Sequence, residues 1–197
     1  MEATHGPRVV QLDRDRALVE AARADPAAFE PLYRKYLAQV YNLAVYELHD
    51  PHEAEDVTER TFLAALAALP HFRERATAAD GEDASTFKVW LFRIARNAIA
   101  ERRRGLRRHP ETSLDIVAMV QASTDVEAIA VRNEAAAEAW QAVAALPEDR
   151  RQAVVLRFVH ELSTAEIAAI LGRSEGAVRV LIHRGLRRVA EQLGERR

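Results

Sequence analysis

Apolar positions recur every three and four residues along almost the whole chain, and no run of alternating β-branched residues interrupts them, so the pattern predicts an all-α fold. The sharpest signals lie between Ser163 and Val189. Ser163 and Glu166 have the spacing of a capping box, in which the serine oxygen accepts a backbone N–H three residues on and the glutamate reaches back. Ile167, Ile170 and Leu171 then share one face. Gly172 suits the left-handed conformation that ends a helix, and Ser174 can cap the next one. There Val178, Ile182 and Val189 face inward, which leaves Arg179, His183, Arg184, Arg187 and Arg188 for other faces, where they can meet phosphates and base edges. Two short helices joined by a glycine turn, with arginines lining the second, read as a helix-turn-helix. The plain alternative is a helical hairpin with a solvated basic face.

Upstream, Arg16 to Ala24 suits a short helix. Asp25-Pro26 supplies a cap and a first-turn proline for a longer helix carrying Phe29, Leu32, Tyr33, Tyr36, Val40 and Leu43. Pro31 falls inside that pattern, where a proline costs about 3 kcal/mol, so a kink or restart is expected near it. Asp50-Pro51 repeats the start signal, and Val57, Thr61, Phe62, Leu66 and Leu69 continue to Pro70. Arg73 to Ser85 reads as an exposed loop. From Ser85 a helix buries Phe87, Trp90, Leu91, Ile94, Ala95 and Ala98, placing Lys88, Arg93, Arg96 and Asn97 on other faces, and runs out into ERRRGLRRHP. For Trp90 a core position is favoured over a nucleic-acid contact.

From His109-Pro110 to about Val126 no pattern is sustained, and the stretch reads as a flexible linker. Helices resume over 127–145 and 147–161, with Val154, Val155, Phe158 and Leu162 expected to pack on the helix-turn-helix. The expected organisation is a polar tail at 1–14, one helical domain at 15–109, a linker at 110–126 and a second helical domain at 127–194. The two halves are expected to move relative to one another.

Charge changes this picture more than overall composition does. The net charge of -2 hides a segregation. Eight carboxylates between Asp25 and Pro70 face Arg34, Lys35 and Arg60, whereas Lys88 to His109 holds eight Lys and Arg against Glu101 alone, a local +7. Such a segment attracts a polyanion whatever the total charge. Two unlike surfaces suggest two unlike partners. With no cysteine in the chain, disulfides, thiolate zinc sites and cysteine nucleophiles are excluded. No apolar run approaches a membrane span, and MEATHGPR lacks the regions of a secretory signal, so a cytoplasmic location without membrane insertion is expected. His49 and His52 follow no metal-site pattern. Glu53, Glu55, Asp56 and Glu59 have no further ligand at matching spacing, leaving a solvated or protein-binding acidic face. No catalytic motif of the common hydrolase, nucleotide or dinucleotide types occurs, so no enzyme activity, metal or cofactor is expected.

Taken in order, AEDVTERTFLAAL at 54–66, TFKVWLFRIARNAIAERRR at 86–104 and the stretch from Ala145 to Val189 resemble a bacterial RNA polymerase sigma factor of the extracytoplasmic-function (ECF) group. The resemblance covers nearly the whole chain. It implies a region 2 bundle and a region 4 helix-turn-helix that together bind core polymerase, recognise a two-part promoter and direct transcription initiation. Glu53, Asp56 and Glu59 would then lie on the acidic helix that docks on the β′ clamp helices. Lys88, Arg93, Arg96, Asn97, Arg102, Arg103 and Arg104 would hold the -10 element, and Arg173, Ser174, Glu175, Arg179, His183 and Arg184 would address the -35 duplex. An anti-sigma protein is an implied partner, and the loop at 73–85 would correspond to the family's base-capturing loop. This chain departs from the family at that long acidic loop, at Glu59-Arg60, and at Val180 and Leu181, where polar residues are common. A helix-turn-helix operator-binding regulator is the alternative, distinguished by tight duplex binding without polymerase.

Overall fold

Local signals account for most helix ends. The computed structural model describes residues 13–77, 85–108 and 134–194. Helix α1 (Arg16–Ala24) stops at Asp25, whose carboxylate accepts the Ala27 N–H at 2.9 Å and opens a single 3₁₀ turn, Pro26–Phe29. Helix α2 (Glu30–Leu48) then starts afresh with Pro31 in its first turn, where the missing N–H has no intrahelical partner to lose. The proline that looked awkward inside a helix is thus resolved by a restart. Asp50 accepts the N–H groups of His52 and Glu53, at 2.9 and 3.2 Å, and caps α3 (Pro51–Ala68). A 3₁₀ turn, Leu69–His71, follows, and after residues outside the described set comes α4 (Phe87–Arg108).

The first half packs around aromatic rings. Phe87, fully buried at the start of α4, lies 5.5 to 6.5 Å from the rings of Phe29, Tyr36, Phe72 and Trp90. Trp90 therefore belongs to the edge of the core. The entry of α4 is pinned by Glu74, whose carboxylate accepts from the Ser85 hydroxyl at 2.5 Å and from the Thr86 N–H and hydroxyl at 2.7 Å. Partial burial pushes the Glu74 carboxyl up, but these donors and the Ala76 N–H outweigh it and hold it down at about 2. Asp13 joins the same end through its carbonyl, which accepts the Ser85 N–H at 2.8 Å, and through an ion pair with Lys88 at 3.6 Å. Asp15 is buried and accepts from Lys35 and from the Tyr36 hydroxyl.

The second half comprises α5 (Glu134–Ala144), α6 (Glu148–Phe158), α7 (Thr164–Leu171) and α8 (Glu175–Gly194). The capping box forms as expected, with Ser163 Oγ accepting the Glu166 N–H at 3.2 Å and Glu166 accepting the Ser163 N–H at 2.8 Å. Gly172 takes the left-handed conformation at φ 64°. Ile167, Ile170, Leu171 and Val178 are buried, and α8 crosses α6 so closely that a Cβ on Gly185 would stand 2.9 Å from Val154. One expected core residue is not there. Val154, Val155 and Leu162 are buried, but Phe158 is 53% exposed. It is the last residue of α6, and the chain turns there so that His160 takes the buried place, edge-on to Phe92.

The two halves touch. Helix α4 packs on α7, and α2 on α6. Phe92, which the periodicity left off the buried face of α4, is fully buried by this contact with the second half. The expected helical stretch at 127–133, the linker at 110–126, the tail at 1–12 and the loop tip at 78–84 lie outside the described residues.

Candidate nucleic-acid interface

Basic side chains reach the surface on two helices. On α8, Arg173, Ser174, Glu175, Arg179, His183 and Arg184 are all exposed at or near its amino-terminal half. Ser174 Oγ accepts the Ala177 N–H at 3.2 Å and starts the helix. Arg173 pairs with Asp149 at 3.1 Å and Arg179 with Glu175 at 3.3 Å, all four side chains at least half exposed. Exposed pairs of this kind contribute about 0 to 1 kcal/mol, so phosphate can displace either carboxylate at little cost. Val180 is 47% exposed among them, whereas Leu181 leans on the core. The exposed surface of α8 thus carries one methyl-rich position among its basic side chains.

On α4 the seven sequence-identified residues divide. Arg93, Asn97 and Arg104 are exposed. The other four are engaged by their own chain. Lys88 is held by Asp13, and Arg102 makes a two-pronged pair with Glu53 of α3. Arg103 reaches Glu47 at 3.1 Å and Glu148 at 3.0 Å, and Arg96 Nε donates to Gln152 at 3.2 Å. Two of the seven thus face partners on α6, across the contact between the halves.

The acidic face divides in the same way. Asp56 and Glu59 are exposed on α3, whereas Glu53 turns in toward Arg102 and braces α3 against α4. Asp56 and Arg60 form no ion pair among the described residues. Beside Glu59 lies an open groove of about 380 Å³ between α2 and α3, lined by Tyr33, Leu37, Tyr41, Phe62 and Leu63 with Glu55 and Glu59 at its rim. Tyr33 and Leu63 are 39% and 59% exposed, unusual for large apolar groups side by side. Periodicity missed this groove, because it assigns apolar residues to a core rather than to a surface.

Sequence reasoning also missed Glu47 and Arg151. Glu47 is 2% exposed near the end of α2 and its Oε2 accepts from both Arg103 and Arg151, the latter at 3.0 Å. Burial pushes the Glu47 carboxyl up, against the opposing pull of Arg151 and Arg103. Both residues occupy apolar registers, Glu47 one turn after Leu43 and Arg151 one turn before Val155, and a charge in such a register was the available signal. Among the described residues no group of three or more His, Asp or Glu is placed to hold a metal ion.

Two family models match the chain: "Sigma-70 region 2" over residues 32–109 and "Sigma-70, region 4" over 136–189. RNA polymerase sigma-H factor of Pseudomonas aeruginosa is 34% identical over 183 residues, covering 87% of this chain and 90% of that one. ECF RNA polymerase sigma factor SigW of Bacillus subtilis is 29% identical over 189 residues, 90% of this chain and 95% of that one. ECF RNA polymerase sigma factor BldN of Streptomyces coelicolor is 34% identical over 178 residues, 89% of this chain, which spans only 64% of BldN. Among solved structures, CnrH in complex with the cytosolic domain of CnrY superposes with a TM-score of 0.66 at 23% identity, covering 93% of this chain and 99% of CnrH. Sigma factor RpoE in complex with the anti-sigma factor NepR, from Bartonella quintana, gives 0.61 at 23% identity, covering 86% and 98%. At that identity the likeness establishes the fold.

Proposed function

Since the chain belongs to the ECF group of RNA polymerase sigma factors, we propose that it binds core polymerase through α2 and α3 and grips promoter DNA at two places, with α4 on the -10 element and α8 on the -35 duplex. The observation that carries this reading is the shared exposure of Arg173, Ser174, Glu175, Arg179, His183 and Arg184 around the start of α8, directly after the glycine turn. That arrangement sets one helix end and its basic side chains toward a groove, as helix-turn-helix readers require. On α4, Arg93, Asn97 and Arg104 are the residues ready to meet DNA, and Lys88, Arg96, Arg102 and Arg103 join them as their present partners yield.

For polymerase docking we assign Asp56 and Glu59, together with the neighbouring apolar groove of Tyr33, Leu37, Tyr41, Phe62 and Leu63. An acidic rim around exposed aromatic and aliphatic groups suits basic helices on the clamp, the charges steering and the apolar groups holding. Glu53 stands behind this face, paired with Arg102 until DNA draws that arginine away. The domain limits follow the same reading, 15–109 for the first grip and 127–194 for the second. Sigma factors in general are not enzymes, and we assign this chain no reaction of its own: it positions DNA for the polymerase. A cytoplasmic location accords with such work, and no helix among the described residues is long and apolar enough to cross a membrane. An anti-sigma partner is part of the proposal, by analogy with the complex of RpoE and NepR. The operator-binding alternative is set aside, because the relatives that match both halves are sigma factors.

The test is transcription in vitro with sigma-free core polymerase and genomic fragments. The protein is expected to yield specific transcripts and to bind duplex DNA weakly alone. No transcript, with tight binding of the free protein to a DNA fragment, would overturn the reading.

A further inference from the structure

The entry of α4 and the loop before it are tied to a stretch of chain that lies far upstream. Residues 13–16 precede the family-matched stretch 32–109, yet they touch both ends of the loop that resembles a base-capturing one. Asp13 and Ser85 form an antiparallel bridge in which the Asp13 carbonyl accepts the Ser85 N–H, and Arg16 donates to the Ala76 carbonyl at 2.9 Å. One contact falls on the outgoing stem of the loop and the other on the returning stem. Between them stands Glu74. Its Oε1 accepts the N–H groups of Arg75 and Ala76 on the first stem, at 2.9 and 3.0 Å, and both the N–H and the hydroxyl of Thr86 on the second, while Oε2 takes the Ser85 hydroxyl.

The upstream stretch is itself fixed to α2 and α4. Asp15 accepts from Lys35 and from the Tyr36 hydroxyl, and the Tyr36 ring packs against Phe87, the first residue of α4, at 5.8 Å. The Asp13 carboxylate stands 3.2 Å from the same hydroxyl, 3.6 Å from Lys88 Nζ and 3.9 Å from Lys35 Nζ. Lys88 can therefore turn to a phosphate without leaving Asp13 unpaired. Aromatic packing around Phe87 already holds the start of α4 in the core, so what the polar contacts add is the spacing and direction of the two stems. Ordering the stems in the fold removes that entropy from the cost of binding DNA. A recognition element also gains accuracy when its supports are locked by their own hydrogen bonds.

We propose, resting on the promoter reading above and on the loop's likeness to a base-capturing one, that Asp13, Arg16 and Glu74 are positioning residues for -10 recognition. They hold the stems of the 73–85 loop at a set spacing on α4, so that an unstacked base of the -10 strand meets them already in place. The residues at 78–84 lie outside the described set, and the brace consists of the stems and the upstream stretch alone. An unstacked base gives up its neighbours, and a surface already in place returns that energy more fully to one base than to the others. Loosened stems treat the bases more equally. The brace thus acts on discrimination, whereas the arginines of α4 supply the sequence-independent hold on phosphate.

The test uses the full chain with sigma-free core polymerase on the genomic fragment that the parent transcribes most strongly, and on templates carrying one base change at each -10 and each -35 position. The ratio of transcript from the unchanged fragment to that from each changed one measures discrimination, and a wrong base in a recognised site costs roughly 5- to 150-fold. Asp13 contributes its main-chain carbonyl, which no substitution removes, so Arg16 is the probe of the upstream stretch. Glu74→Ala and Arg16→Ala are each expected to lower the ratio about fivefold or more at one -10 position and to leave the -35 ratios within about twofold of the parent. Glu74→Gln, which keeps an acceptor for Ala76 and Thr86 and a donor for Ser85, is expected to retain most of the discrimination. A simple loss of stability lowers all transcripts alike and leaves the ratios in place. Circular dichroism checks that each variant is folded, and Arg16→Ala, at a partly exposed position, decides the matter if Glu74→Ala does not fold. Unchanged ratios at every -10 position in the folded variants, or equal loss at both elements, overturns the brace, and loss in Glu74→Ala alone removes residues 13–16 from it. A parent holoenzyme that makes no specific transcript overturns the promoter reading and the brace with it, whereas a specific parent transcript with unaltered variants overturns the brace alone.

Discussion

His160 shows how one side chain registers the contact between the halves. It is 5% exposed, packs edge-on against Phe92 at 5.0 Å, and its Nε2 has no hydrogen-bond partner. Burial, with the Lys88 charge on α4 adding to it, pushes the imidazole down to about 4 from 6.5. The folded state therefore stays unprotonated while the unfolded chain takes up a proton, so this stability is present above pH 6.5 and is lost as pH falls from 6.5 toward 4. Glu47 runs the other way, since its raised carboxyl binds a proton in the folded state before the unfolded one does. Comparison with His160→Gln isolates the histidine. Urea unfolding at pH 7.5 and pH 5 is expected to show the parent losing about 2 kcal/mol relative to the variant on acidification. A difference that ignores pH would mean His160 is not buried as a neutral ring. At the proposed docking face, Asp56→Arg is expected to weaken capture of core polymerase at least tenfold by placing like charges opposite one another, measured by co-purification at several salt concentrations. Arg179→Ala is expected to reduce -35 duplex binding by about 1 to 3 kcal/mol and leave -10 binding little changed. Equal loss at both elements would displace Arg179 from the reader surface.

Among the elements, α8 carries a demand that its own amphipathic pattern conceals. Gly185 stands in the interior of the helix, where a glycine forfeits roughly 1 kcal/mol of helix propensity relative to alanine. The reason is the crossing with α6, where Val154, Leu146 and Arg150 lie within 3.6 Å of where a Cβ would stand. Gly185→Ala gains propensity but overpacks the crossing, an effect of about 1 to 3 kcal/mol in well-filled cores. We expect the second term to win by about 1 kcal/mol, seen as a lower thermal midpoint and weaker -35 binding together. A raised midpoint would mean that α6 and α8 part easily. The start of α2 shows the opposite situation, in which an unfavourable residue is absorbed by local geometry: Pro31 moves into a first turn because a 3₁₀ turn precedes it.

For the whole molecule, the packing of the two halves decides which basic side chains of α4 reach the surface. Small-angle scattering on the free chain is expected to give a radius of gyration of roughly 16 to 18 Å, the scale for a packed chain of this length. An extended chain would contradict the packed arrangement of α4 on α7. Salt dependence follows from the same geometry. Each arginine that exchanges a carboxylate for a phosphate adds roughly 0.7 to 0.9 to the slope of log affinity against log salt, so the number of α4 arginines that reach DNA is readable from that slope.

Much of this protein was legible from the order of its residues, because capping and periodicity act over one or two turns and need no distant partner. The restart at Pro31, the cap at Asp50, the box at Ser163 and Glu166, the turn at Gly172 and the exposed arginines of α8 all follow from neighbours within four residues. The same local reading placed Phe158 in the core and left Phe92 off the buried face, since burial at a helix end or on a second face is set by whatever packs there. It marked Glu53, Arg96, Arg102 and Arg103 as ready for partners, although each already has one supplied from another helix. Only the tertiary structure brings Glu47, Arg103 and Arg151 to one point. An ion pair between residues a hundred positions apart leaves no periodic trace, and it takes shape only when packing removes the water that would otherwise separate the charges.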